Sequence, residues 1–348
     1  MKKQIQYLFT VLALMTATTL VAQADHSDGD ELYQQHCAAC HGSDGSGGVG
    51  VPLNLPDFLA VASDDYLRKT VRNGRPGRVM PAFPLLSEDE VGAIIQTVRG
   101  WSGVPPPDYD SKPLKGDAVR GKQLFTQYCV ACHGERGQGG EGTGVTFSRP
   151  REAPIMAPAL NNPGFQQSVS DAMLKATLLR GRHGTPMPSI TELGLKEGDA
   201  DDLVAWLRQL PADSAPVRKS ESPVIRMESS YSFEETLDNL KKAISARNFR
   251  VIREQTLDSG FVEKNKESRR QYIVYFCSFS FLNEALSIDP RVGLFLPCRV
   301  TLQETEKGIE LVTINPENLS HLFNNRELDK ACERMHRLYT EILEEATL

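Results

Sequence analysis

Cys37-Ala38-Ala39-Cys40-His41 and Cys129-Val130-Ala131-Cys132-His133 are the two stretches on which the reading of this chain turns. On a helix, Cys-x-x-Cys-His sets two thiols one turn apart, so both can add to the vinyl groups of one porphyrin. The adjacent His then lies under the iron as its ligand. A single copy would also suit a zinc half-site or a redox dithiol. Zinc needs paired ligands that neither stretch offers, and a thioredoxin-like dithiol leaves both His residues without a role. The pair therefore predicts two covalently bound haem c groups. One sits on Cys37 and Cys40 with His41 on the iron, the other on Cys129 and Cys132 with His133.

The motifs belong to a longer internal repeat. Asp30 to Gly42 matches Gly121 to Gly134, and both copies run on into Gly-rich loops ending at Gly47-Gly48 and Gly139-Gly140. Ser63 to Pro81 then matches Ser170 to Pro188 at a constant offset of 107, whereas the Cys motifs are offset by 92. The second copy thus carries 15 extra residues, most naturally around Gly142 to Met156. Each copy closes on a helical pattern near a Trp: Ser87 to Trp101, and Glu197 to Leu210 with Trp206. Met80 and Met187 are the methionines at equivalent positions in the two copies, each after a helical segment and a Gly-rich turn and each before Pro. A thioether there can reach the open face of the haem, so both are expected as second axial ligands. Packing is the alternative role for a Met. His183 faces Pro76 in the repeat and reads as a loop residue.

Lys2 and Lys3 precede an apolar stretch from Tyr7 to Val21, and Ala22-Gln23-Ala24 supplies a small-x-small cleavage pattern. Residues 1–24 therefore read as a cleaved signal peptide and the protein as periplasmic. No later segment is apolar enough to span a bilayer, so stable membrane insertion is not expected. The full chain has a net charge of −6, and loss of the two lysines takes it to −8. Acidic residues are spread evenly, and haem propionates add to them. That charge argues against nucleic acid or anionic lipid as a partner and suits redox proteins, as electron donor and acceptor, with basic docking faces.

Pro105-Pro106-Pro107-Asp108 reads as a stiff link between the copies, and a second polar link precedes a change in composition. Ser232-Phe233-Glu234-Glu235 is a capping-box signal opening an amphipathic helix to about Asn248. Strand-like runs follow at Phe249–Glu254, Gln271–Phe279, Cys298–Thr305 and Ile309–Ile314, and a helical pattern closes the chain from about Glu327 to Glu345. The expected organisation is a leader over 1–24, two haem-bearing copies over 25–106 and 114–211, a linker over 212–224 and an α+β domain over 225–348.

Cys277, Cys298 and Cys332 lie outside the haem motifs. In an oxidising compartment Cys277 and Cys298, on strands of one sheet, are the expected disulfide pair. Buried unreactive thiols and a metal- or sulfur-handling site are the alternatives.

Residues 28–104 and 114–211 each resemble a small class I cytochrome c domain, on the helix entering Cys-x-x-Cys-His, the later Met-Pro loop and the closing helix. The resemblance implies a mainly α fold around each haem, with Cys37, Cys40, His41 and Met80 in one site and Cys129, Cys132, His133 and Met187 in the other. The extra residues of the second copy depart from the minimal pattern and could form a partner-docking loop. Residues 225–348 resemble domain of unknown function 302, on Tyr275-Phe276-Cys277 before a short helix and Leu296-Pro297-Cys298-Arg299-Val300 entering a strand. That family implies an α+β fold and brings no activity with it. Two His/Met irons leave no open position for substrate, which favours a one-electron carrier over an enzyme. The rival is an enzyme or enzyme subunit whose third domain binds a substrate, such as a sulfur compound, while the haems remove its electrons. A binding or assembly module fused to a carrier is a third class.

Overall fold

The computed structural model describes residues 28–140, 142, 156–212, 222–268 and 270–348. The leader, most of the 212–224 linker and most of the extra segment of the second copy lie outside the described residues.

The first copy is built from α1 (Gly29–His36), α2 (Ala38–His41), α3 (Pro56–Val61), α4 (Asp64–Asn73) and α5 (Glu88–Gly100). The second repeats it as α6 (Ala118–Tyr128), α7 (Val130–His133), α8 (Pro163–Ser168), α9 (Asp171–Arg180) and α10 (Glu197–Leu207). Local sequence sets the helix ends. Ser63 and Ser170 accept from the third helical amide of α4 and α9, and Ser87 and Glu90 form a complete capping box on α5. In both copies the first helix crosses the last at a glycine. A Cβ on Gly29 would stand 2.3 Å from the Ala93 carbonyl oxygen, and one on Gly121 would stand 1.9 Å from that of Asp202. Only a residue without a side chain lets the backbones approach so closely. Tyr33 and Phe125, at equivalent positions, are fully buried beside these crossings.

The copies are not two beads on a string. Their apolar residues form one continuous core. Phe58 and Phe165 are repeat equivalents, as are Arg75 and Arg182. The Arg75 guanidinium lies 5.7 Å from the Phe165 ring centroid, and that of Arg182 lies 5.2 Å from Phe58. Each copy thus gives an arginine to the other's ring, which is the reciprocal pattern of a two-fold interface. Asn162 Nδ2 donates to the Pro76 carbonyl at 2.9 Å and Arg180 Nε to Asp57 Oδ1 at 2.6 Å.

The third domain is a five-stranded antiparallel sheet of β1 (Val224–Ser229), β2 (Arg250–Thr256), β3 (Gln271–Cys277), β4 (Cys298–Thr305) and β5 (Gly308–Ile314), in the order β1-β5-β4-β3-β2. The long helices α11 (Phe233–Ala246) and α14 (Asp329–Thr347) share a core with the sheet. Cys298, Val300 and Leu302 of β4 and Ile309 and Leu311 of β5 alternate into that core, the period of a half-buried strand. α12 (Phe279–Ile288), α13 (Asn318–Leu322) and the 3-10 turns Pro290–Phe295 and Arg326–Leu328 form a smaller apolar cluster at one end of the sheet. Ser232 caps α11 with Glu235 as the sequence signals. β1 lies directly after the polar link, where no strand is expected from the pattern.

The helix crossings give a direct test. Gly29→Ala or Gly121→Ala is expected to cost about 1–3 kcal/mol of stability by overpacking. Gly92→Ala on α5, where a Cβ meets nothing within 4 Å, is expected to stabilise by about 0.5–1 kcal/mol. Guanidinium unfolding of the three variants reads both signs.

Candidate haem sites

Each Cys-x-x-Cys-His is one tight turn. Cys37 closes α1, and its carbonyl accepts from the amides of Cys40 at 3.1 Å and His41 at 2.9 Å. Cys129 accepts in the same way from Cys132 at 3.2 Å and His133 at 2.9 Å. This turn carries both thiols and the imidazole of its copy. The Gly-rich loop then folds back on the turn: Gly47 donates to the His41 carbonyl at 2.7 Å and Gly139 to that of His133 at 2.8 Å.

The loops fix the imidazoles. His41 Nδ1 lies 2.8 Å from the Val51 carbonyl oxygen and His133 Nδ1 lies 3.1 Å from that of Pro158. A carbonyl can only accept, so Nδ1 carries the proton in both rings and Nε2 is left with its lone pair for iron. Val51 and Pro158 stand at the offset of 107, so the extra residues of the second copy fall between Gly140 and Ala157. Burial pushes the His133 imidazole below its ordinary value, a Pro158 bond opposes this and the Arg182 charge adds to it. The ring stays neutral, the form that binds a metal.

The Met loops are equally matched. Arg75 N donates to the Met80 carbonyl at 2.9 Å, and Arg182 N to that of Met187 at 3.0 Å. Both methionines are half-buried. In the second copy several donors are sealed from solvent without a partner among the described residues: Arg182 Nε, Asn161 Nδ2 and Trp206 Nε1. A haem brings two propionate carboxylates, acceptors of the kind that such donors need. The donor set of thiols, imidazole Nε2 and thioether suits covalent attachment and axial ligation of a haem. His183 is not in this set. Its backbone N donates to Asp57 at 2.9 Å and its Nδ1 pairs with the same carboxylate, so it helps to lock the copies together.

The third domain docks where the two copies meet, around the Met80 loop. Arg326 N donates to the Gly77 carbonyl at 3.1 Å, and Gly77 N donates to Asn324 Oδ1 at 3.3 Å. Arg78 pairs with Glu327 and also donates to the Gln138 carbonyl of the second copy. Glu327 accepts from Gly142 N at 3.0 Å. Asp289 and Arg291, joined at 2.7 Å, lie within electrostatic reach of Cys40. The repeat equivalent of Arg78 is Thr185, so this anchorage belongs to the first copy. Sequence patterns gave no hint of it, because the partners are about 250 residues apart.

Cys277, Cys298 and Cys332 are all free thiols and buried. The expected Cys277–Cys298 link is not formed. The strand register pairs Cys298 with Phe276, one residue out of step for a cross-strand cysteine pair. The metal alternative finds no support either: among the described residues no three His, Cys, Asp or Glu are placed to hold a metal ion.

Three family models match successive parts of the chain. A family model of "Cytochrome C oxidase, cbb3-type, subunit III" matches residues 24–96, one of "Cytochrome c" matches 118–211, and one of "Domain of unknown function DUF302" matches 225–346. The chain thus holds two cytochrome c domains, a kind of domain that binds haem c covalently. A DUF302 domain follows them on the C-terminal side. The cbb3-type cytochrome c oxidase subunit FixP of Bradyrhizobium diazoefficiens is 33% identical, over 46% of this chain and 53% of its own. Subunit CcoP of an Azospirillum strain is 27% identical over 46% and 54%. The cytochrome bc1 complex cytochrome c subunit of Mycobacterium tuberculosis is 27% identical over 56% and 69%. The chain spans about half the length of the first curated relatives that it matches. Among solved structures, a DUF302 protein of Bacillus stearothermophilus is 18% identical, covering 36% of this chain and 98% of its own with a TM-score of 0.33. The reducing HAO-like complex of Kuenenia stuttgartiensis is 21% identical over 53% and 96%, with a TM-score of 0.36.

Asp57 makes the docking of the copies sensitive to acid. Burial pushes its carboxyl up, but the Arg180 and His183 donors overcome this and hold it below the usual carboxylate range. Its stabilisation is present at neutral pH and is lost as pH falls through that lowered value. Thermal unfolding of the wild type is expected to drop below about pH 4 more steeply than that of Asp57→Asn, which starts from a lower midpoint at pH 7. Parallel pH profiles would show that Asp57 contributes no linkage.

Proposed function

We propose that this protein is a periplasmic dihaem cytochrome that passes single electrons between redox partners through two His/Met-ligated haems. One observation carries the reading: both copies hold the histidine Nδ1 on a backbone carbonyl at matched positions and close a matched Met loop. Cys37, Cys40, His41 and Met80 would hold one haem and Cys129, Cys132, His133 and Met187 the other, the thiols by covalent attachment and the imidazole and thioether as ligands to iron. Bound in this way, each haem would supply one-electron redox chemistry with both iron faces taken by protein ligands. The protein's own part is to hold the ligands fixed and to exclude water, so that little rearrangement accompanies each electron. The relatives are named as subunits of a cbb3-type oxidase and of a bc1 complex, which supports respiratory redox proteins as donor and acceptor. Among the described residues no helix is long and apolar enough to cross a membrane.

A second reading, a haem-bearing enzyme or subunit fed by the third domain, is favoured by the docking of that domain around the Met80 loop.

Met80→Ala and Met187→Ala are each expected to remove about half of the weak sulfur-to-iron absorption band of the oxidised protein and to let one ferrous iron per chain bind carbon monoxide. A variant that keeps the full band and binds no carbon monoxide identifies its Met as packing. Arg78→Ala, which releases the third domain's hold on one Met loop only, is expected to shift one of two midpoint potentials and leave the other in place. Equal shifts of both, or of neither, would remove the third domain from the tuning of the first site.

A further inference from the structure

Arg75 and Arg182 occupy equivalent positions of the repeat but not equivalent surroundings. Arg75 commits its guanidinium inside its own copy. Nη2 donates to the Tyr66 hydroxyl and to Thr70 Oγ1, both at 3.1 Å, and Nη1 donates to the Gly74 carbonyl at 2.9 Å. At the offset of 107 these partners become Met173, Thr177 and Gly181. A thioether is a weak acceptor, and Thr177 Oγ1 turns into its own helix, donating to the Met173 carbonyl at 2.8 Å. Arg182 is left with Nε sealed from solvent and without a partner among the described residues. Burial pushes its guanidinium below its ordinary value and Tyr66 opposes this only in part, yet a guanidinium keeps its proton in a protein. A fixed, partly desolvated positive charge therefore stands in the second copy.

That charge belongs to the second site. Its field reaches the His133 imidazole, and the Arg182 amide donates to the Met187 carbonyl at 3.0 Å. Arg182 and Met187 line the same cavity, of about 230 Å³. The other charged side chains of its wall are already engaged. Arg180 and His183 both hold Asp57, and Glu192 accepts from the Ser189 hydroxyl at 2.9 Å. Arg182 is thus the cation left for an incoming anion. The Phe58 ring of the other copy, its centroid 5.2 Å away, keeps the guanidinium in place. A guanidinium presents a planar fork of donors that matches a carboxylate, the acidic group that haem carries on each propionate.

We propose that Arg182 is the positioning residue for a propionate of the second haem and that its charge holds up that haem's midpoint potential. The inference rests on the carrier reading above and adds a difference between its two sites. A positive charge near an iron favours the ferrous state, which carries one positive charge fewer, and partial desolvation makes the effect larger than in water. Arg75, held by Tyr66, Thr70 and Gly74, has fewer free donors for the first haem. The two sites therefore differ although their ligand residues match.

The test is redox titration of the haem-loaded full-length protein, with the haem count per chain taken from the pyridine haemochrome spectrum. In Arg182→Gln one of two midpoint potentials is expected to fall by at least tenfold in that haem's reduction constant, about 59 mV, while the other stays in place. Arg182→Lys keeps the charge and is expected to recover most of the lost potential. A lysine variant that falls as far as the glutamine variant overturns the proposal. Phe58→Leu removes the ring and keeps the charge, so both potentials are expected to hold. A fall equal to that of Arg182→Gln assigns the effect to the stack and overturns the proposal. In Cys129→Ala/Cys132→Ala, which attaches no second haem, adding Arg182→Gln is expected to leave the remaining potential unaltered. A fall there places the contact in the first site and overturns the assignment. Two haems per wild-type chain, with neither potential moved by Arg182→Gln, overturn the proposal and leave the carrier reading standing. One haem or none in the wild type overturns both.

Discussion

The reciprocal stacking of Arg75 on Phe165 and of Arg182 on Phe58 is the interaction on which the rest of this structure depends. A small cytochrome c domain buries little apolar surface once its haem crevice is set aside. Here a duplicated unit has become its own partner, and the two halves share one core. The same arginines donate their backbone amides to the Met80 and Met187 carbonyls, so the interface also braces the two loops proposed to close the haem sites. Burying Arg182 this way, with Nε sealed and unpartnered among the described residues, costs stability unless an acceptor arrives with the cofactor.

Symmetry is broken by the third domain. Its turn Asn324 to Glu327 grips Gly77 and Arg78, and Glu327 also reaches Gly142 of the second copy. Such a junction can form only after the copies have docked, because Arg78 of one and Gln138 of the other contribute to it together. Two sites of nearly equal make-up are thereby placed in different surroundings, the simplest way for one chain to hold two different potentials.

What could be read from the sequence was local. The two Cys-x-x-Cys-His turns, the change of offset from 92 to 107, the Ser87 and Ser232 capping boxes and the strand beginning at Cys298 all depend on residues within a few positions of each other. The docking of the copies leaves no local signal although its parts repeat at one offset, since Phe58 and Phe165 look like ordinary core residues and an arginine after a glycine carries no pattern. Cys277 and Cys298 do lie on adjacent strands, but nothing between them in sequence fixes the register, which sets Cys298 opposite Phe276. β1 leaves little trace in the pattern, because one short strand at a sheet edge, following a polar link, shows too little alternation.

The central claim is that both turns carry a haem bonded to the chain. Intact mass spectrometry of the protein after denaturation and acid–acetone extraction tests it most directly. The account predicts the mass of the chain plus two haems, falling by one haem in Cys37→Ala/Cys40→Ala and by one in Cys129→Ala/Cys132→Ala. A wild-type mass with a single haem, or with none, would contradict it.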